Sequence, residues 1–222
     1  MGGQFKGLQA NLSEHALESG AVCLAGIVQQ PQAICVLLHD RHADLDRMRQ
    51  FANPLERYSI CPMLLDLPGH GLSSEDEDTD SMAAIESAFV YAEREVLPVA
   101  VVAEGRSVDT LLRTQPLGSV SSYILLSPRS SMTEEQFAET AWSRIPSLSI
   151  LDPHDHEAEN VALMVSRRTR ANDGHVFAHN AGALRSGQPS WPLQAANAAA
   201  AFIAEQAALW RAGQATRRED CA

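Results

Sequence analysis

The sequence predicts an α/β fold, a mainly parallel sheet with helices on both faces. Three observations carry this: strand-like apolar runs alternate with helix-like segments, Val99–Val102 reads as a buried strand, and that strand runs into a tight turn of small residues. Ala21–Val28 and Ala33–His39 are the first apolar runs, read as successive strands joined tightly through Gln29-Gln30-Pro31-Gln32. A helix-like stretch covers Ala43–Leu55, and Tyr58–Leu67 returns to strand character. Ser74–Asp80, with five acidic residues, reads as a solvent-exposed turn. Ser81–Glu95 carries Met82, Ile85, Ala88, Phe89 and Ala92 at helical spacing and closes at Leu97-Pro98. Beyond the central strand, a short helix is expected over Arg106–Thr114 and a strand over Val120–Leu126. Thr133-Glu134-Glu135-Gln136 then opens a helix to Trp142 with a capping pattern. Leu148–Leu151 and His175–His179 complete the strands, and Glu157–Arg168 and Pro192–Trp210 the helices.

At 222 residues the chain suits one domain, with a core over about 21–210. Its 45% hydrophobic and 20% charged content is ordinary for a globular protein, and no apolar run approaches the roughly 20 residues of a membrane span. Met1–Asn11 lacks an apolar segment, so no secretory signal is expected and the cytoplasm is the expected compartment. The net charge of −11 disfavours nucleic acid and anionic membranes as partners, leaving a small-molecule ligand or a protein. Cys23, Cys35, Cys61 and Cys221 show no metal-ligand spacing and read as reduced thiols.

Val99–Ser107, V-A-V-V-A-E-G-R-S, is the most informative stretch. Ala103, Gly105 and Ser107 supply the small-x-small-x-small pattern that a sharp strand-to-helix turn needs, but glycine at its centre has no side chain with which to attack a substrate.

Taken in order, these pieces resemble the α/β-hydrolase family over roughly Val22 to Ala208, as a compact member without a substantial lid. Met63-Leu64-Leu65-Asp66-Leu67-Pro68-Gly69-His70-Gly71-Leu72-Ser73 is similar to that family's Asp-x-Pro-Gly-His-Gly-x-Ser segment. Ile34–Asp40 resembles the strand ending in a His-Gly oxyanion turn, with Asp40 where glycine is usual. Tyr123–Pro128 resembles the strand after the elbow, and Val176–Ala183 the strand ending in Gly-His. The resemblance implies that Gly105 stands at the nucleophile's position, Ala183 at the histidine's, and Asp155 at the acid's. It also implies an oxyanion and pocket region around His39, Asp40, Glu104 and Arg106.

With two of three triad positions vacant, the leading expectation is a degenerate member with a ligand-binding, scaffolding or regulatory role and no cofactor or metal. The alternative centres the elbow on Ser107, with His179 or His175 as base and Asp155 as acid, giving an active esterase or thioesterase. A third reading reuses the pocket for proton transfer through Glu104, Asp155 or a histidine. Glu104 and Arg106 are candidates for an acid-base pair, and His154-Asp155-His156 with His39, His70, His175 and His179 for a metal site, although no third ligand is set by spacing. His70 is expected to bond backbone carbonyls in its turn.

Overall fold

A computed structural model describes residues 12–41, 43–73, 80–151, 154–169, 175–178 and 193–219. Within these, one eight-stranded sheet comprises β1 (Leu12–Ala16), β2 (Val22–Gly26), β3 (Ala33–Leu38), β4 (Ile60–Asp66), β5 (Val99–Glu104), β6 (Val120–Leu126), β7 (Ser147–Leu151) and β8 (His175–Ala178). Their order is β1-β2-β4-β3-β5-β6-β7-β8. Pairing is antiparallel from β1 to β2 and from β2 to β4, and parallel from β4 through to β8. The helices are α1 (Ala52–Arg57), α2 (Ser81–Glu93), α3 (Ser107–Arg113), α4 (Glu134–Glu139), α5 (His156–Arg168) and α6 (Leu193–Glu219). No helix among the described residues is long and apolar enough to cross a membrane.

Four elements differ from the sequence expectation, one being the helix expected from Thr133 to Trp142, which ends at Glu139 and gives way to a 3-10 turn, Ala141–Arg144. The runs read as tightly joined strands, β2 and β3, are not neighbours. β4 lies between them, because β3 pairs with it in parallel through a crossover that carries α1. The helix expected over Ala43–Leu55 is a 3-10 turn, Leu45–Phe51, followed by α1. Asp44 caps the turn by accepting from the Asp46 amide, and Pro54, which has no N–H to donate backwards, is tolerated because it sits in the first turn of a new helix. The fold also begins earlier than expected, at β1. Its polar Ser13, Glu14 and His15 suit a half-buried edge strand and mask its character in the sequence.

Side-chain alternation along the buried strands builds a separate core on each face. Ile34, Val36 and Leu38 of β3, with Val101 and Ala103 of β5, pack towards α2, α3, α5 and Trp142. Cys35 and Leu37, with Ala100 and Val102, pack on the opposite face against Met48, Phe51, Leu55 and the alanine face of α6. The connection from β6 to β7 holds only α4 and a 3-10 turn, Ala141–Arg144, so no substantial lid is inserted there. The capping pattern read at Thr133 is realised, with Thr133 and Gln136 bonding reciprocally.

Trp142 locks this connection onto the sheet. Its indole N–H donates to the Thr114 carbonyl at 2.9 Å, and its ring meets Tyr123 edge-on with centroids 5.3 Å apart. Trp142→Ala should therefore lower unfolding stability by about 3–5 kcal/mol, read from the urea midpoint, with the sheet's far-ultraviolet signature retained below the transition.

Candidate functional site

The chain leaves β3 towards α1 on one face of the sheet and leaves β5 towards α3 on the other. These neighbouring strands therefore diverge at their carboxyl ends, and the crevice between their exits is the topological switch point at which open α/β sheets hold ligands. Asp40 and Gly105 face one another there.

Gly105 turns β5 into α3 with a positive φ of 56°, a conformation that costs other residues about 1–2 kcal/mol. The Asp40 carboxylate occupies the space beyond it: a Cβ built on Gly105 would collide with Oδ1 and lie 2.5 Å from Cγ. Asp40 Oδ1 accepts from the Arg106 amide at 2.8 Å and from the Arg41 amide at 2.9 Å. The amide after Gly105 and an amide of the loop after β3 are thus both taken by one side-chain oxygen of the protein itself.

Of the two readings of Glu104 and Arg106, a pair or separately placed charges, the structure has the second. Glu104, the last residue of β5, points inward and is ion-paired with Arg47 of the Leu45–Phe51 turn, whereas Arg106 is exposed. Strand alternation explains the difference, since Glu104 continues the buried face of β5 and Arg106 lies beyond the turn. Ser107 begins α3 and is buried, its hydroxyl donating to the Glu104 carbonyl at 2.7 Å. Asp155 caps α5 by accepting from the Ala158 amide at 3.2 Å, and its other oxygen takes a hydrogen bond from Arg129 at 2.7 Å. His179 and Ala183 lie outside the described residues, as does most of the acidic stretch 74–80; His175 is described only as part of β8.

The Asp66–Ser73 motif holds up the floor of the crevice. Asp66 accepts from the Leu72 amide at 2.8 Å and the Leu45 amide at 3.2 Å, and Ser73 donates its hydroxyl to the Asp66 carbonyl at 2.7 Å. Gly71 has a φ of 50°, and a Cβ there would lie 2.6 Å from the Asp66 carboxyl carbon, so glycine is required. As expected, His70 bonds carbonyls, with one ring nitrogen on Pro68 and the other on Arg41. His39 is fully buried. Its Nε2 accepts from the Leu67 amide at 3.1 Å, which assigns the Nδ1 proton to the bond with the Asp40 carbonyl at 2.8 Å and makes the ring neutral. The 3.7 Å approach of Nε2 to Asp66 is therefore not an ion pair. Burial holds the His39 pKa below the ordinary value, outweighing the Asp40 carbonyl and the Asp66 charge.

Above these groups opens a cleft of about 1070 Å³. Arg41, His70, Arg106, Asp109, Arg113 and Arg129 are among its lining residues. Arg41, Arg47 and Arg129 carried no local sequence signal, because nothing in their neighbourhoods distinguishes them from surface arginines. Among the described residues, no group of three histidines, cysteines or carboxylates is placed to hold a metal ion.

Two outcomes test this geometry. Gly105→Ala should destabilise the chain by about 2 kcal/mol, and chemical unfolding should show a smaller penalty in an Asp40→Gly background, because the collision is with that carboxylate. His39 has a depressed folded-state pKa, so its contribution to stability is present above about pH 6.5 and lost as the pH falls below it. Urea midpoints should decline over that interval in the unaltered chain and decline less in His39→Gln.

No family model matches the sequence, and no curated protein sequence matches it. Solved structures do. An esterase from Pyrococcus furiosus superposes with a TM-score of 0.65 at 10% identity, covering 88% of this chain and 92% of its own. A dienelactone hydrolase from Anabaena variabilis gives 0.65 at 14% identity over 90% and 97% of the two chains. An esterase/lipase from an uncultured bacterium gives 0.63 at 13% over 92% and 87%. Likeness at such identities speaks to architecture, and with the strand order above it establishes that this chain has the α/β-hydrolase fold.

Proposed function

We propose that this protein binds a small molecule in the cleft above the β3 and β5 exits and does not form a covalent acyl intermediate at its elbow. The observation that carries the reading is the seat of the Asp40 carboxylate. An oxyanion hole accelerates acyl transfer by meeting negative charge as it develops, and donors already bound to a resident carboxylate have no such capacity left. Displacing Asp40 would forfeit charge-assisted hydrogen bonds of roughly 1.5–3 kcal/mol each. Gly105 offers no nucleophile, and the acid candidate Asp155 is engaged in a helix cap and an arginine pair. The resulting role is recognition or regulation through a bound ligand.

A second reading, a serine esterase or related hydrolase, is favoured by the likeness to structures named as esterases and hydrolases and by Ser107, which borders the same cleft. It would require the Ser107 hydroxyl to leave the Glu104 carbonyl and turn outward. The two readings separate in one assay. With a fluorophosphonate probe and p-nitrophenyl acetate, the unaltered chain should show neither labelling nor turnover above buffer. Labelling that disappears in Ser107→Ala would overturn the non-covalent reading and establish Ser107 as nucleophile.

A further inference from the structure

Among the described residues four arginines line the cleft, and they are not equivalent. Arg113 pairs with Asp109 at 2.9 Å, and Arg129 pairs with Asp155 at 2.7 Å and Glu157 at 3.2 Å, so these two are held by the protein's own carboxylates. Arg41 and Arg106 are exposed, and among the described residues neither guanidinium has an acidic partner within ion-pair distance. Their backbones are nevertheless pinned to one point, because both amides bond the same atom, Asp40 Oδ1. Two guanidinium side chains thus spring from adjacent positions on the rim of one crevice, in a chain whose net charge is −11. Asp40 offsets one of the two positive charges. Of the other acids along the cleft, Asp109 and Glu157 are paired with Arg113 and Arg129, and Asp80 accepts from the Met82 amide at 2.8 Å as the cap of α2.

We propose that the cleft recognises its ligand through an oxyanion, a carboxylate or a phosphate ester, held by Arg41 and Arg106 immediately outside Asp40. Planar guanidiniums present paired N–H donors that match two oxygens of such a group. Because Asp40 already fills the elbow, the ligand's charged group is met by side chains at the rim rather than by backbone amides at the floor. The proposal deepens the ligand-binding reading above and rests on it.

Calorimetric titration with inorganic phosphate and with succinate, at matched ionic strength, tests it. The expected result is saturable binding of at least one anion, weakened about tenfold or more in Arg41→Gln/Arg106→Gln, the loss of charge-assisted bonds being worth roughly that factor. Binding should persist in Arg57→Gln/Arg144→Gln, which removes the same charge from exposed positions outside the cleft. Preference for phosphate would identify a phosphate ester, and preference for succinate a carboxylate. A second measurement needs no variant: the bound anion should protect Arg41 and Arg106, but not Arg57, from phenylglyoxal, read by mass spectrometry. Absence of saturable binding by both anions, or equal binding by the cleft variant, would overturn the proposal. Ester turnover with anion binding intact would instead overturn only the closed elbow.

Discussion

The carboxylate of Asp40 is bound from two sides and pressed from a third. Two main-chain amides, of Arg41 and Arg106, converge on Oδ1, and the absent side chain of Gly105 leaves the room that the carboxyl group fills. A carboxylate is the strongest acceptor the chain can offer to a pair of unsatisfied amides, so the interaction joins the loop after β3 to the turn after β5 without a covalent link. The surrounding bonds reinforce it. Glu104 pairs with Arg47 across the same gap, and the Arg129 amide donates to the Gly105 carbonyl at 2.9 Å, drawing in the loop after β6. Three strand exits are thereby held around one crevice.

Beneath this junction, the Asp66–Ser73 loop supplies rigidity of a different kind. Its aspartate serves two amides, its serine hydroxyl donates to the Asp66 carbonyl and accepts from the Val22 amide, and its histidine bridges to the Arg41 carbonyl. The loop is therefore a knot of satisfied polar groups under a polar cleft, where backbone atoms left unpaired would be costly. His39 connects the knot to the Asp40 backbone as a neutral ring. The motif thus has a structural role in tying the loop after β4 to β2 and to the loop after β3.

Sheet order, crossover pattern and the small-residue turn are those of a fold that includes esterases and hydrolases among its solved structures, yet a fold hosts many activities and the site decides among them. At this site the Asp40 carboxylate stands opposite Gly105, which carries no side chain. The two residues fit each other sterically, since the carboxylate occupies the volume that a Cβ at Gly105 would need.

Much of the architecture was legible along the chain. β6 falls on the predicted residues, α4 starts at the predicted cap, and the elbow's small residues mark the β5 to α3 turn, because periodicity, capping and steric crowding are local properties. β1 and the separation of β2 from β3 were not legible, since an edge strand needs only modest apolar content and strand order depends on distant pairing. The site divides in the same way. Gly105 and Asp40 could be singled out by residue type and position in the sequence. That the carboxylate of one fills the space of the other, that Glu104 turns to Arg47 rather than Arg106, and that arginines from separate loops meet in one cleft were decided only by tertiary structure, because each depends on where the ends of non-consecutive strands arrive.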